Sequence, residues 1–292
     1  MNRIHFAMVL IVSLCLFKVL ITKKKFVCIL YVGQMRDNTA MNTQNHVEWI
    51  NKQFPSNEYT VHIYFVTDMV NIRELFQHDF FASKVKNIVM DYNYQKTPYI
   101  YDTRSMTEQS YHEIMNKTTK SYDNRLTKQI ETNMRNTYNH VYTKEKEDLT
   151  TNFYQFKKLQ IGILLKRIFE KTNGIKYDYT FKIRPDITFL DIHSNIFVDK
   201  TFTGFYIAHD FMFGSSGSLF DKLYDFVDHY GKLKLTSCLD GEYKKNIESD
   251  SRRWYKAPEI QLFAYICKIT NTTPFENNVV RVRAQLSRHL KT

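Results

Sequence analysis

Continuous apolar runs of strand length punctuate the first third of the chain. Phe26–Val32 (FVCILYV) runs into Gly33-Gln34-Met35-Arg36, and Tyr59–Val66 (YTVHIYFV) runs into Thr67-Asp68. Val85–Met90 is a third, shorter run. Apolar stretches of this length, closed by polar turns, predict strands buried on both faces. Between the first two, Thr39 to Phe54 predicts a helix that stops before Pro55. Strands alternating with helices imply an α/β domain with a mostly parallel sheet. Residues 92–150 are polar, rich in Tyr, Asn, Thr and Lys, and weakly periodic. They read as an insertion of loops and exposed helix.

Helical spacing is strongest over Thr151 to Thr172, where Phe153, Phe156, Leu159, Ile163 and Ile168 recur on one face and Asn173-Gly174 closes the run. The pattern then switches to the alternating, β-branched and aromatic run Tyr177–Phe189, YDYTFKIRPDITF. Pro185 lacks a backbone donor and ends the strand there. Arg184 and Asp186 are thereby placed at a strand tip. Phe202–Ala208 predicts a further strand, leading into His209-Asp210. Phe213-Gly-Ser-Ser-Gly-Ser218 reads as a small-residue turn and Leu219–Tyr230 as a helix. Pro258 and Glu259 suit the first turn of a helix over Ile260–Ile269. Val279–Arg283 is a last strand-like run, with Arg281 and Arg283 on one side of it.

Composition changes this picture in two ways. With 43% hydrophobic residues, 292 residues allow a sizeable core, and only 8 Gly and 5 Pro leave no low-complexity linker. The net charge of +11 attracts polyanions. The basic residues are scattered, however, and neither zinc-finger spacing nor an RNA-recognition motif is present, so a specific nucleic-acid partner is not expected. Cys15, Cys28, Cys238 and Cys267 form no C-x-x-C pair, so they read as buried thiols. A Cys238–Cys267 disulfide would require a lumenal domain.

The N-terminus alters the cellular setting. Phe6 to Ile21 is apolar except for Ser13 and Lys18, with Arg3 before it and Lys23–Lys25 after it. A span wants ~20 apolar residues. With no clear cleavage site, residues 1–24 predict a signal anchor, leaving 25–292 as one domain. This makes a single-pass membrane protein, of the secretory pathway or a viral or host membrane. The basic cluster opposes a simple lumenal orientation. Asn116-Lys-Thr118 and Asn271-Thr-Thr273 are sequons, used only in a secretory setting and there making a glycoprotein.

The candidate chemistry gathers at strand ends. Gly33 after a buried strand suits a nucleotide-binding turn, although no G-x-G-x-x-G follows. A cation and a carboxylate at a strand tip suit a phosphate-bearing ligand. The plainer readings are a local ion pair for Arg184–Asp186, a helix-dipole acid for Glu259, a structural role for His209, and surface cations for Arg281 and Arg283.

Taken in order, these segments resemble glycosyltransferases of the GT-A fold. YDYTFKIRPDITF resembles their strand ending in Asp-x-Asp, with Arg184 at the first acidic position and Asp186 at the last. Gly33-Gln34-Met35-Arg36 followed later by Arg-Pro-Asp is similar to a variant group of bacterial and viral sugar transferases. Residues 210–226 resemble the segment meeting donor sugar and acceptor. The resemblance covers about 26–36 and 151–283. It implies a GT-A-like, Rossmann-like fold and transfer of a sugar from a nucleotide sugar, a UDP-sugar foremost, to a glycan or glycoprotein. It implies Gly33, Gln34, Arg36, Arg184, Arg281 and Arg283 as donor or phosphate ligands. Asp186 would hold a divalent Mn or Mg, unless Arg184 itself neutralises the diphosphate. Glu259 would be the catalytic base, with Asp210 second. The alternatives are a non-catalytic carbohydrate- or nucleotide-binding protein, or a basic polyanion-binding surface protein.

Overall fold

A computed structural model describes residues 24–33, 43–67, 79–90, 99–100, 146–197, 201–230, 258–272 and 279–286, with 233 and 244–245. The strands are β1 (Lys25–Gly33), β2 (Tyr59–Thr67), β3 (Val85–Met90), β4 (Tyr99–Ile100), β5 (Tyr179–Ile183), β6 (Ile187–Phe189), β7 (Phe205–Ala208), β8 (Met212–Ser216), β9 (Val279–Arg281) and β10 (Ala284–Leu286). The helices are α1 (Thr43–Gln53), α2 (Asp79–Lys84), α3 (Lys146–Asn173), α4 (Gly217–Asp221), α5 (Phe226–His229) and α6 (Pro258–Thr270), with a 3-10 turn at Lys222–Asp225 between α4 and α5.

Eight strands form one sheet in the order β4-β3-β2-β1-β5-β8-β7-β9, and β6 and β10 form a second, two-stranded sheet. Strands β1, β2, β3 and β5 are parallel neighbours, as are β7 and β9, while β8 runs antiparallel to both β5 and β7. Two reversals cancel, so β7 and β9 point the same way as β5. The protein is therefore α/β with a mostly parallel mixed sheet, as its pattern of alternating elements implies.

The period of two along β1 explains the layering. Cys28, Leu30 and Val32 join a core with α3, α5 and α6, through Phe156, Leu159, Phe226, Ile260 and Phe263. Val27, Ile29 and Tyr31 face the other way, against Trp49 and Ile50 of α1 and Phe81 of α2. Val27 to Val32 are all fully buried, because helices cover both faces. Each such side chain contributes about 1.5–3 kcal/mol by leaving water. On the α1 face, Trp49 stacks on Phe189 of β6 with ring centroids 4.1 Å apart, which seats the small sheet against α1.

Several expected elements differ. The segment read as a small-residue turn, 213–218, is mostly strand β8. Its glycine answers to packing: a Cβ at Gly214 would lie 2.1 Å from the Phe181 ring, so only glycine lets that ring cross the strand. The helix expected over 219–230 is broken into α4, the 3-10 turn and α5. The run 279–283 splits: β9 ends at Arg281, and β10 begins a new sheet at Ala284. Strand β4, within the polar insertion, pairs antiparallel with β3. Helix α3 begins at Lys146, before the expected Thr151. Among the described residues no helix is long and apolar enough to cross a membrane. The apolar segment 6–21, Asn116, Cys15 and Cys238 lie outside the described residues, while Cys28 and Cys267 are buried thiols.

Candidate functional site

Strand order reverses between β1 and β5: the chain proceeds outward from β1 through β2 and β3 on one side and from β5 on the other. Open α/β sheets bind ligands beyond the C-terminal strand ends at such a point. Here Tyr31 pairs with Ile183, so Gly33 and Arg184 emerge side by side. Gly33 has φ 132, a backbone conformation that side chains rarely adopt, and a Cβ there would sit 3.5 Å from Arg184 Cγ. Gln34 and Arg36, expected on the same turn, lie outside the described residues.

Beyond β5 the Pro185-Asp186 turn sends the chain into β6. The turn lets Asp186 fold back on Arg184, whose Nε and Nη2 donate to the two carboxylate oxygens at 2.9 and 2.8 Å. Arg184 Nη1 also lies 4.0 Å from Asp210 Oδ2. Its amide donates to the Phe211 carbonyl at 2.8 Å. Burial opposes the guanidinium charge, but hydrogen bonds and charge from Asp186, with Asp210 behind it, raise its pKa. Asp210 is itself fixed: Gln155 Nε2 of α3 donates to its Oδ2 at 2.9 Å.

Under this group lies Lys182, fully buried, whose Nζ donates to the Asp210 carbonyl and sits 5.1 Å from the Phe213 ring centroid. Burial pushes its pKa down to about 7, with Asp210 opposing and Arg184 assisting the shift. Lys182 was not among the residues singled out by sequence. A lysine inside an otherwise apolar alternating strand was the available signal; its partner, a backbone carbonyl, leaves none.

Behind the turn, α1 supplies neutral support. Asn45 pairs with both backbone groups of Phe189, at 2.9 and 2.8 Å, like the edge of a strand. His46 Nε2 lies 2.8 Å from the Ile187 carbonyl and Nδ1 2.9 Å from the Tyr31 hydroxyl. A carbonyl only accepts, so Nε2 carries the proton and Nδ1 accepts from Tyr31. Burial lowers the His46 pKa to about 4.

A second cluster stands at the end of β7. His209 follows Ala208 with φ 51 and a side chain 60% exposed. Its Nδ1 lies 3.2 Å from Oε2 of Glu259, in the first turn of α6. The hydrogen bond to Glu259 raises the His209 pKa against the opposing effect of burial; Arg281 lowers it and Asp210 raises it. Arg281, one strand over, pairs in register with Ile207 and has its Cζ 5.7 Å from the Phe263 ring centroid. Phe211 links the clusters, its ring 5.4 Å from His209 and 5.5 Å from Arg184.

Comparison with known proteins finds no matching family model, no matching curated protein and no matching solved structure.

The structure thus gathers Gly33, Arg184, Asp186, Asp210, Glu259 and Arg281 at one edge of the sheet. Arg283 stands apart. Its carbonyl accepts from the Leu190 amide at 3.0 Å and its charge acts on Asp191, at the far end of the small sheet from Asp186. The shared side expected for Arg281 and Arg283 is lost where β9 gives way to β10. Asp186 is the residue expected to hold a divalent cation. Both carboxylate oxygens are engaged by Arg184, and among the described residues no three His, Cys, Asp or Glu side chains converge as metal ligands.

Proposed function

We propose that the chain is a glycosyltransferase of GT-A-like architecture that moves a sugar from a nucleotide sugar, a UDP-sugar in the first instance, to a glycan or glycoprotein, held at a membrane by residues 6–21. One observation carries this reading: distant segments bring Arg184, Asp186 and Asp210 together beyond β5, where the strand order reverses, and set Arg281 near a carboxylate–imidazole pair farther along the same edge. The acceptor oxygen forms a bond to the anomeric carbon as the bond from that carbon to the diphosphate oxygen breaks. The leaving diphosphate takes the electron pair, and the acceptor proton must go to a base. Arg184 is oriented by Asp186 and offers Nη1 to the developing charge. Arg281 is a second cation on the same edge. Glu259 and His209 supply the base.

The locked Arg184–Asp186 pair also favours a second reading, a nucleotide- or sugar-binding protein without turnover. Calorimetry with UDP-sugars, with and without Mn²⁺, combined with an assay for released UDP, tests both. Saturable binding with release that falls in Asp186→Ala and Glu259→Ala supports the transferase. Binding without release selects the second reading. Variants that keep full hydrolysis and transfer overturn the site. Binding that falls steeply with salt and ignores the nucleotide marks a polyanion surface instead.

A further inference from the structure

The pair at the end of β7 has a directional chemistry that Glu259 alone would lack. A carboxylate only accepts, so the 3.2 Å contact requires the proton on His209 Nδ1. Neutral His209 then carries its lone pair on Nε2. The ring is 60% exposed, whereas the Glu259 side chain is 25% exposed. His209 also holds a φ of 51, in the left-handed region. Side chains are seldom kept there, and such outliers cluster at functional sites. The turn is held in that shape from several sides: by the Lys182 ammonium on the Asp210 carbonyl, by the Arg184 amide on the Phe211 carbonyl, and by the Phe211 amide on the Ala208 carbonyl at 3.1 Å.

We infer that His209 Nε2 is the atom that takes the acceptor's proton, and that Glu259 is a positioning residue that fixes its tautomer and balances the imidazolium. This rests on the transferase reading above. As the new C–O bond forms and the diphosphate leaves with its electron pair, the acceptor O–H proton passes to Nε2. The Nδ1–H stays on the histidine, directed at Glu259, so the charge created on the ring faces a carboxylate. The charged groups around the ring are Glu259 from α6, Arg281 from β9 and Asp210 from its own turn. Arg281 opposes ring charging, and the two carboxylates favour it.

The test uses the full chain, UDP-sugar donors and the uncharged variants His209→Gln and Glu259→Gln, with thermal unfolding to show that both remain folded. The His209 ring resonance, assigned by its loss in His209→Gln, should titrate above the ordinary histidine range and move down in Glu259→Gln. Turnover should rise with pH through the same midpoint. His209→Gln should lower kcat by roughly 10²–10⁴-fold with donor KM little changed. Glu259→Gln should cost less and shift the rising limb to lower pH. If His209→Gln keeps its kcat while Glu259→Gln abolishes it, the proton belongs to Glu259 and the inference fails. If no UDP-sugar is bound or turned over, the transferase reading fails. The titration then still judges the pair: a His209 resonance indifferent to Glu259→Gln overturns it.

Discussion

Two lysines, both fully buried, sit at opposite ends of the sheet and are treated in opposite ways. Lys166 of α3 lies towards the end where β5 begins and β8 finishes. Its Nζ meets Asp221 at 3.0 and 3.1 Å and Glu170 at 3.2 Å. Glu170 also accepts the Tyr177 amide at 2.9 Å. Lys182, at the other end, has a backbone carbonyl as its hydrogen-bond acceptor, while the carboxylates around it are held by Arg184 and Gln155. A buried cation surrounded by carboxylates is a lock between elements. A buried cation given a single carbonyl is held ready to change its protonation, and it lies under the turn that carries His209 and Asp210.

The sharpest way to break that contrast is Lys166→Met. It leaves buried Glu170 with only the exposed Lys176 ammonium, 3.6 Å away, and should cost about 3 kcal/mol, read by chemical denaturation. Adding Glu170→Gln should return part of that loss, since a neutral side chain is easier to bury. At the site end, Asn45→Ala removes two neutral hydrogen bonds from Phe189. It should cost about 1–2 kcal/mol, a smaller loss because no charge is left behind.

Lys182→Met should lower stability by no more than about 1 kcal/mol at pH 8, because the one lost hydrogen bond is offset by removal of an amine that gives up its proton on folding. Turnover should nonetheless fall, by roughly 10²-fold, as the turn loosens. A stability loss matching that of Lys166→Met would erase the distinction between the two lysines.

The pH dependence of stability refines it further. The Lys182 pKa drops from 10.5 unfolded to about 7 folded, so between those values the unfolded chain binds the extra proton. Stability therefore rises with pH across that window and is lost as pH falls through about 7. Lys158, also lowered to about 7, adds to the same slope. Lys182→Met should flatten the rise without abolishing it in denaturation series from pH 7 to 10. His46, lowered from 6.5 to about 4, contributes stability that disappears as pH falls across that interval.

How much of this was legible in the sequence depended on what kind of partner each residue has. The β1 run was readable because burial on both faces demands unbroken apolar sequence. The tip at Arg184-Pro185-Asp186 was readable because proline ends a strand by chemistry local to itself. Strand β8 was misread because Phe-Gly-Ser-Ser-Gly has the composition of a turn. Its glycine is required by Phe181, thirty-three positions earlier, and no local rule reports that. The pairing of His209 with Glu259, fifty residues apart, depends on where α6 docks. The separation of Arg281 from Arg283 depends on a change of sheet that three-residue strands do not advertise.

The small sheet has a mechanical consequence. Strand β6 begins immediately after Asp186, and β10 begins three residues after Arg281. The two are joined in register, Ile187 to Leu286 and Phe189 to Ala284. The carboxylate that orients Arg184 and the strand that presents Arg281 are thus fastened by one shared clasp. Amides of 187–189 and 284–286 should exchange with solvent as one cooperative unit. A ligand gripping either cation should slow exchange in both segments together.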